Sequence, residues 1–200
     1  MIESERFAEF AILQMSENNS VFFGLFTKVM RPIWSLKEDK PEVFASVEKY
    51  LTDHGFKIAA KDYSRPWGGF FVLDETQAQK FGQLYFPNVD LSTLRISGKL
   101  SPKILMVQAN KRLSWQYHHR RAEIWKLVAG TAGVVKSETD EEGPVQMLKV
   151  GEIIRLKQGQ RHRLVGLDGW GMIAEIWQHT DADQPSDEDD IVRVQDDFGR

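Results

Sequence analysis

The sequence predicts a mainly β protein, a double-stranded β-helix or jelly-roll barrel preceded by an α-helical N-terminal extension. Three observations carry that expectation. The apolar periodicity is helical up to about residue 60 and strand-like after it. From Lys103 onward, short β-rich runs follow one another with turns between them, the spacing of a barrel that hides its edges by closing two sheets over one core. The stretch Thr139-Asp140-Glu141-Glu142-Gly143-Pro144 is polar and ends in Gly-Pro, as a hairpin connection between two such runs should.

In chain order, residues 5–15 read as a first helix, Ser16 to Ser20 as a polar loop, and Phe22, Phe26, Val29 and Met30 as a second helix stopped near Pro32. A third helix follows Pro41 and ends before Gly55, since Val43, Phe44, Val47, Tyr50 and Leu51 recur at helical spacing between an entry proline and an exit glycine. The expected division is therefore a helical extension over 1–60 and a barrel domain over 61–200. Strands are expected at 103–107, 113–118, 124–129, 131–136, 145–150, 152–156, 163–166 and 172–178. A barrel of this kind carries a pocket at one mouth. No internal repeat or low-complexity tract interrupts the chain.

Composition narrows the function classes. A chain of 200 residues that is 42% hydrophobic and 28% charged buries a real core and reads as soluble globular material. A net charge of −3 argues against a nucleic-acid partner, which needs a basic face. The absence of cysteine excludes disulfides and thiolate metal sites, and makes a reducing cytoplasm the expected compartment. The most apolar run, Val21 to Met30, is broken by Gly24, Thr27 and Lys28 and is far short of the roughly 20 residues a membrane span needs. Glu3, Glu5 and Glu9 give the N-terminal residues the wrong charge for an export signal.

The chemistry sits in two stretches. The first runs Gln116-Tyr117-His118-His119-Arg120-Arg121-Ala122-Glu123 and closes at Gly130; the second runs from Gly151 through Gly159 to His162. Residues two apart on a strand share a face, so Gln116 and His118 point into the barrel together, and the next turn returns Glu123 to that face. His162, one hairpin later, is the expected fourth ligand. An amide, two imidazoles and a carboxylate suit zinc, manganese, nickel or iron. Taken singly, each of these residues is more often a structural polar group than a ligand; the four together reverse that. His119, one position out of phase, should face away.

These two stretches resemble the paired cupin motifs, G(X)5HXH(X)4E(X)6G and G(X)5PXG(X)2H(X)3N. Asn110 stands for the opening Gly, Gln116 for the first His, Lys157 for the Pro and Gly166 for the closing Asn. Three ordered blocks are similar to the type II phosphomannose isomerase domain: Arg65-Pro66-Trp67-Gly68, Leu113 to Trp125, and Glu188-Asp189-Asp190-Ile191-Val192-Arg193 with Asp197-Phe198-Gly199-Arg200. They span residues 65 to 200. Within them Arg120 replaces the family's third consecutive His and Ile124 the His after the Glu, and roughly twenty extra residues separate the first block from Lys103.

The resemblance implies a mannose-6-phosphate isomerase that interconverts mannose 6-phosphate and fructose 6-phosphate with a divalent ion, zinc being the first choice. It implies metal ligation by Gln116, His118, Glu123 and His162, catalytic roles for Lys103, His119 and Arg121, and substrate contacts from Arg65, Arg120 and Arg193. Each has a blander reading: a rim lysine for Lys103, a surface imidazole for His119, and structural ion pairs for the arginines. The proton-carrying base is left open among Lys103, His119 and a hydroxide on the metal. A homodimer is expected, since cupins often pair through their sheets. No Gly-rich nucleotide loop leads into a doubly wound sheet, so a guanylyltransferase activity is not expected of these residues. The alternatives are a cupin that binds a sugar phosphate without turning it over, or another metal cupin such as an epimerase or oxygenase. His54 and His179, and the acidic run from Asp181 to Asp190, read as structural or solvated groups.

Overall fold

The computed structural model describes residues 38–94 and 98–199, which belong to one compact unit. The expected helices at 5–15 and 22–30 lie outside the described residues.

The helix after Pro41 is present as α1, Lys40–Asp53. Asp39 caps it, its side chain accepting from Glu42 N at 3.0 Å, and Gly55 at φ +69° turns the chain away beyond it. Its buried stripe is the expected one, Val43, Phe44, Val47, Tyr50 and Leu51. Strands β1 (Ile58–Asp62) and β2 (Gly68–Leu73) follow, then helix α2 (Ala78–Tyr85) between two short 3-10 turns. Helix α2 thus lies between the Arg65–Gly68 block and Lys103.

The remaining strands are β3 (Lys103–Val107), β4 (Trp115–Tyr117), β5 (Arg121–Ser137), β6 (Gln146–Met147), β7 (Ile153–Leu156), β8 (Arg161–His179) and β9 (Val192–Gln195). Two pairs of expected strands are thus single long strands, β5 and β8. They pair with each other from Arg121↔His179 to Ser137↔Arg161, with register shifts at 127–129 and 130–132. The glycines that read as turns in the sequence crease these strands without ending them. Gly130, at φ +74°, is one such crease: a Cβ there would meet Trp170 O at 1.8 Å. Gly166 is another, its missing Cβ leaving room for the carbonyl of Gln108.

The crease makes two sheets out of one hydrogen-bonded ladder. One has the order β1-β2-β3-β8-β5-β7 and uses the C-terminal half of β8 and the N-terminal half of β5. The other has the order β9-β4-β8-β5-β6 and uses the opposite halves. Side chains from both enclose a core of Leu105, Trp125, Leu127, Ile154, Ile173, Val134 and Leu164.

Alternate residues on the first sheet face outward into a second core, which explains why every residue of β3 is buried. There Ile104, Met106, Met172, Ala174 and Ile176 pack with Val43, Phe44, Val47 and Leu51 of α1 and with Phe81 and Tyr85 of α2. Residues on both sides of position 60 contribute to this core. The fold is a mainly β, double-stranded β-helix barrel.

Candidate metal centre

The inward positions converge at one end of the barrel. Gln116 on β4 lies opposite His162 on β8 in the ladder, and Glu123 on β5 lies opposite Trp177 on β8. His118 follows β4 by one residue and keeps the phase of Gln116. His118, Glu123 and His162 are all buried, and one ligand atom from each lies within 4.8 Å of the others.

The tautomers follow from the outer contacts. Nδ1 of His118 is 2.5 Å from the carbonyl of Asp190, and Nδ1 of His162 is 2.9 Å from that of Gln160. A carbonyl only accepts, so each Nδ1 carries the proton and each Nε2 turns a lone pair inward. Those lone pairs meet the carboxylate of Glu123: His118 Nε2 is 3.1 Å from Oε1, and His162 Nε2 is 3.3 Å from Oε2. Glu123 Oε2 and His162 Nε2 have no hydrogen-bond partner, although both are buried. Two acceptors face each other with no proton between them, an arrangement that costs free energy unless a cation bridges them. The donor set therefore fits a divalent ion. Gln116 lines the same cavity, with its Oε1 accepting from the hydroxyl of Ser114 at 2.5 Å.

Electrostatics match that reading. Burial alone would raise the pKa of Glu123, but His118 and Arg121 overcome it and hold the carboxyl well below its usual range. Burial lowers the pKa of His118, against the pull of Glu123.

Arg121 clips the site to the C-terminal segment. Its Nε donates to Glu123 Oε1 at 2.8 Å, its Nη1 to Ser186 Oγ at 2.8 Å and Asp187 O at 2.9 Å, and its guanidinium lies 3.7 Å from the centroid of Trp177. Its Nη2 is 3.2 Å from His118 Nε2, a contact an ion on that imidazole would replace. Asp190 completes the clip, its carboxylate accepting from the backbone of His119 and Arg120, both at 2.9 Å, and from Ser186 Oγ at 2.6 Å.

A cavity of about 350 Å³ opens beside these ligands. Arg65, Lys103, Arg121 and Arg193 line it with Glu123, Glu175 and Glu188, and Trp67, Phe70 and Trp177 supply apolar wall. Arg65 Nε pairs with Asp62 Oδ2 at 2.7 Å. Lys103 is buried under Trp177, with Nζ 3.8 Å from the ring centroid, and is ion-paired with Glu188.

Two expected site residues lie elsewhere. His119 is exposed and Arg120 does not line the cavity; strand alternation turns the first outward, and Asp187, at 3.1 Å, holds the second on the surface. The solvated reading of the acidic run also fails at Asp190, which is buried by the clip just described. His179 is likewise fully buried, its Nδ1 accepting from Ser186 N at 3.0 Å, because the chain after β8 folds back over the end of that strand.

Glu175 was not singled out in the sequence. It lies on β8 opposite Trp125 and Lys103, fully inside the barrel, and Trp125 Nε1 donates to its Oε1 at 2.8 Å. Burial, with the charge of Glu123, pushes its pKa up to about 8 against the pull of Lys103. The signal was available: in Met172-Ile173-Ala174-Glu175-Ile176-Trp177 it is the lone charge of an apolar run, in phase with Ile173 and Trp177.

A creased barrel with two imidazoles and a carboxylate gathered at one end is a cupin with a candidate metal centre. The family model described as mannose-6-phosphate isomerase C-terminal matches residues 74–196, and the chain belongs to that family. Curated relatives include the mannose-1-phosphate guanylyltransferase ManC of Salmonella typhimurium, 31% identical over 77% of this chain and 26% of its own length. The alginate biosynthesis protein AlgA of Pseudomonas putida is 30% identical over 64% of this chain and 26% of its own length. The chain thus spans about a quarter of the length of the curated relatives it matches. Among solved structures, the capsular polysaccharide assembling protein CapF of Staphylococcus aureus aligns with a TM-score of 0.46 at 15% identity, covering 73% of this chain and 35% of that one. An oxalate decarboxylase variant from B. subtilis gives 0.46 at 13% identity, over 67% and 30% of the two chains.

Proposed function

We propose that this protein is a metal-dependent sugar-phosphate isomerase that interconverts mannose 6-phosphate and fructose 6-phosphate in the cytoplasm. The observation that carries the proposal is the pair of orphaned acceptors, Glu123 Oε2 and His162 Nε2, buried beside a cavity that Arg65, Lys103, Arg121 and Arg193 line together with four carboxylates. Membership of the isomerase C-terminal family supports it independently.

Interconverting an aldose and a ketose moves one proton between C1 and C2 through an enediol, so negative charge develops on two adjacent oxygens. A divalent ion, zinc in this proposal, supplies compensating positive charge to those oxygens when it is held by Gln116, His118, Glu123 and His162. The proteins' own groups do the rest. His118 and His162 stay oriented because carbonyls accept the protons on their outer nitrogens. Arg65 and Arg193, on the cavity wall, offer charge-assisted donors to the phosphate and so fix which end of the sugar reaches the ligands. Lys103 is a further cation for a sugar oxygen. Trp67, Phe70 and Trp177 exclude water around the reacting carbons. The cavity volume falls in the range of small-ligand sites.

The test couples formation of fructose 6-phosphate to a downstream dehydrogenase, with metal content measured on the same preparations. Turnover that disappears in His118→Ala supports the proposal. Equal background rates in both proteins sink it, and a metal-free native protein would point to a binding module.

A further inference from the structure

We propose that Glu175 is the catalytic base of this isomerisation, carrying the proton between C2 and C1 of the sugar phosphate. This rests on the isomerase reading and supplies the group that reading lacks.

Elimination among the cavity's groups leads there. A base needs an oxygen or nitrogen that can accept a proton, is free of other partners and faces the substrate. Glu123 is held by Arg121 and His118 through Oε1, and its unpartnered Oε2 faces His162 as a ligand of the proposed ion. Glu188 is engaged with Lys103, and Asp189 is exposed on the same segment. His119 is exposed and outside the cavity. Arg65, Lys103 and Arg193 serve as cations. Glu175 remains, with Oε1 anchored by Trp125 at 2.8 Å and no hydrogen bond to Oε2 among the described residues.

Its placement suits the task. Glu175 and Glu123 lie on adjacent strands, each on the inward face, and the Trp125–Glu175 pair lies two ladder positions beyond the Glu123–Trp177 pair. Glu175 lines the same cavity as Gln116 and Glu123, so the proposal seats C1 and C2 of the sugar between the candidate metal ligands and the Glu175 carboxylate. Lys103, the ladder partner of Glu175 on β3, puts a cation on its other side.

The step balances without any further reactant. The carboxylate takes the proton from C2, the C–H electron pair forms the C1–C2 double bond, and the C1 carbonyl electrons move to O1. The carboxyl then returns that proton to C1 as the C2 carbonyl forms, with one hydroxyl proton passing from O2 to O1. The indole of Trp125 holds the carboxyl between the two carbons, so Trp125 is a positioning residue.

Glu175→Gln tests this, because an amide oxygen keeps the bond from Trp125 but accepts no proton. The variant and the native protein are compared for kcat and KM on mannose 6-phosphate, bound metal, melting temperature, and uptake of solvent deuterium into the sugar at C1 and C2. The expected result is a fall in kcat of roughly 10²–10⁴-fold with deuterium uptake reduced in step, while KM and metal content stay within a few-fold. Glu175→Asp, which retains the base, should recover part of the loss. A Glu175→Gln protein with kcat within tenfold of native, or one whose loss follows its metal content, overturns the proposal. Should Glu175→Gln fail to fold, Trp125→Phe decides: reduced kcat at unchanged KM supports the base, and unchanged kcat overturns it. A native protein inactive on both hexose phosphates ends the isomerase reading and this proposal together, whereas an active native protein with an equally active Glu175→Gln ends this proposal alone.

Discussion

Two unpartnered atoms, Glu123 Oε2 and His162 Nε2, set the chemistry at the scale of single residues. Glu123→Gln removes the negative charge that compensates a cation there, so stoichiometric metal should be lost while the barrel persists, as read by elemental analysis and circular dichroism. Retention of a full equivalent of metal would remove Glu123 from the ligand set. Glu175 makes a second prediction, through stability. Its folded pKa of about 8 lies above its ordinary 4.5, so between those values the folded state binds more protons than the unfolded one and stability falls as pH rises. In chelator-treated protein, Glu175→Gln should therefore melt above the native chain at pH 8, with the gap closing toward pH 4.5. A gap that widens as pH falls would contradict the burial argument.

Elements act on the site by bringing remote stretches of chain together. The 186–190 segment reaches back over β4 and β5, where Asp190 holds the backbone of His119 and Arg120 and presents its own carbonyl to His118. Asp190→Asn keeps the shape but replaces a carboxylate that accepts three donors. The outer support of His118 should loosen, with metal affinity falling roughly 10–100-fold in a chelator competition. On the far side of the first sheet, α1 seals a core that has no part in the chemistry. Phe44 is 1% exposed there and packs on Phe71, Tyr63 and Trp170. Phe44→Ala should cost about 3–5 kcal/mol in denaturant unfolding and leave metal content unchanged. A parallel loss of metal would mean that the two cores are not energetically separate.

For the molecule as a whole, the proposed metal binding would couple to folding through the histidines. Burial lowers the pKa of both His118 and His179 below the ordinary 6.5. Below that value the unfolded chain takes up protons that the folded chain resists, so stability is fully present above pH 6.5 and declines as the pH drops through it. The depressed pKa of Glu123 adds a further loss at lower pH, where its carboxylate begins to protonate. Added zinc should raise the melting temperature at neutral pH, by mass action on the folded state, and should do so less under mild acid, where protons compete for the imidazoles. An ion that stabilises equally at pH 5 and pH 7.5 would not be held by histidine.

Much of this molecule was written in local order. The run Gln116-x-His118 with Glu123 and His162 gave the candidate ligands, of which His118, Glu123 and His162 do gather, because strand alternation is a local rule and polar residues in phase with an apolar face stand out. The stripe Val43, Phe44, Val47, Tyr50 and Leu51 gave α1 for the same reason. The extent of β5 and β8 was not legible, since a glycine such as Gly130 looks identical whether it ends a strand or creases one; the close approach of the Trp170 carbonyl, 40 residues on, makes it a crease. Asp190 and His179 read as surface groups because nothing near them in sequence desolvates them. Their burial comes from a segment folding back across strands that lie far away in the chain, and burial of that kind depends on contacts that local pattern does not encode.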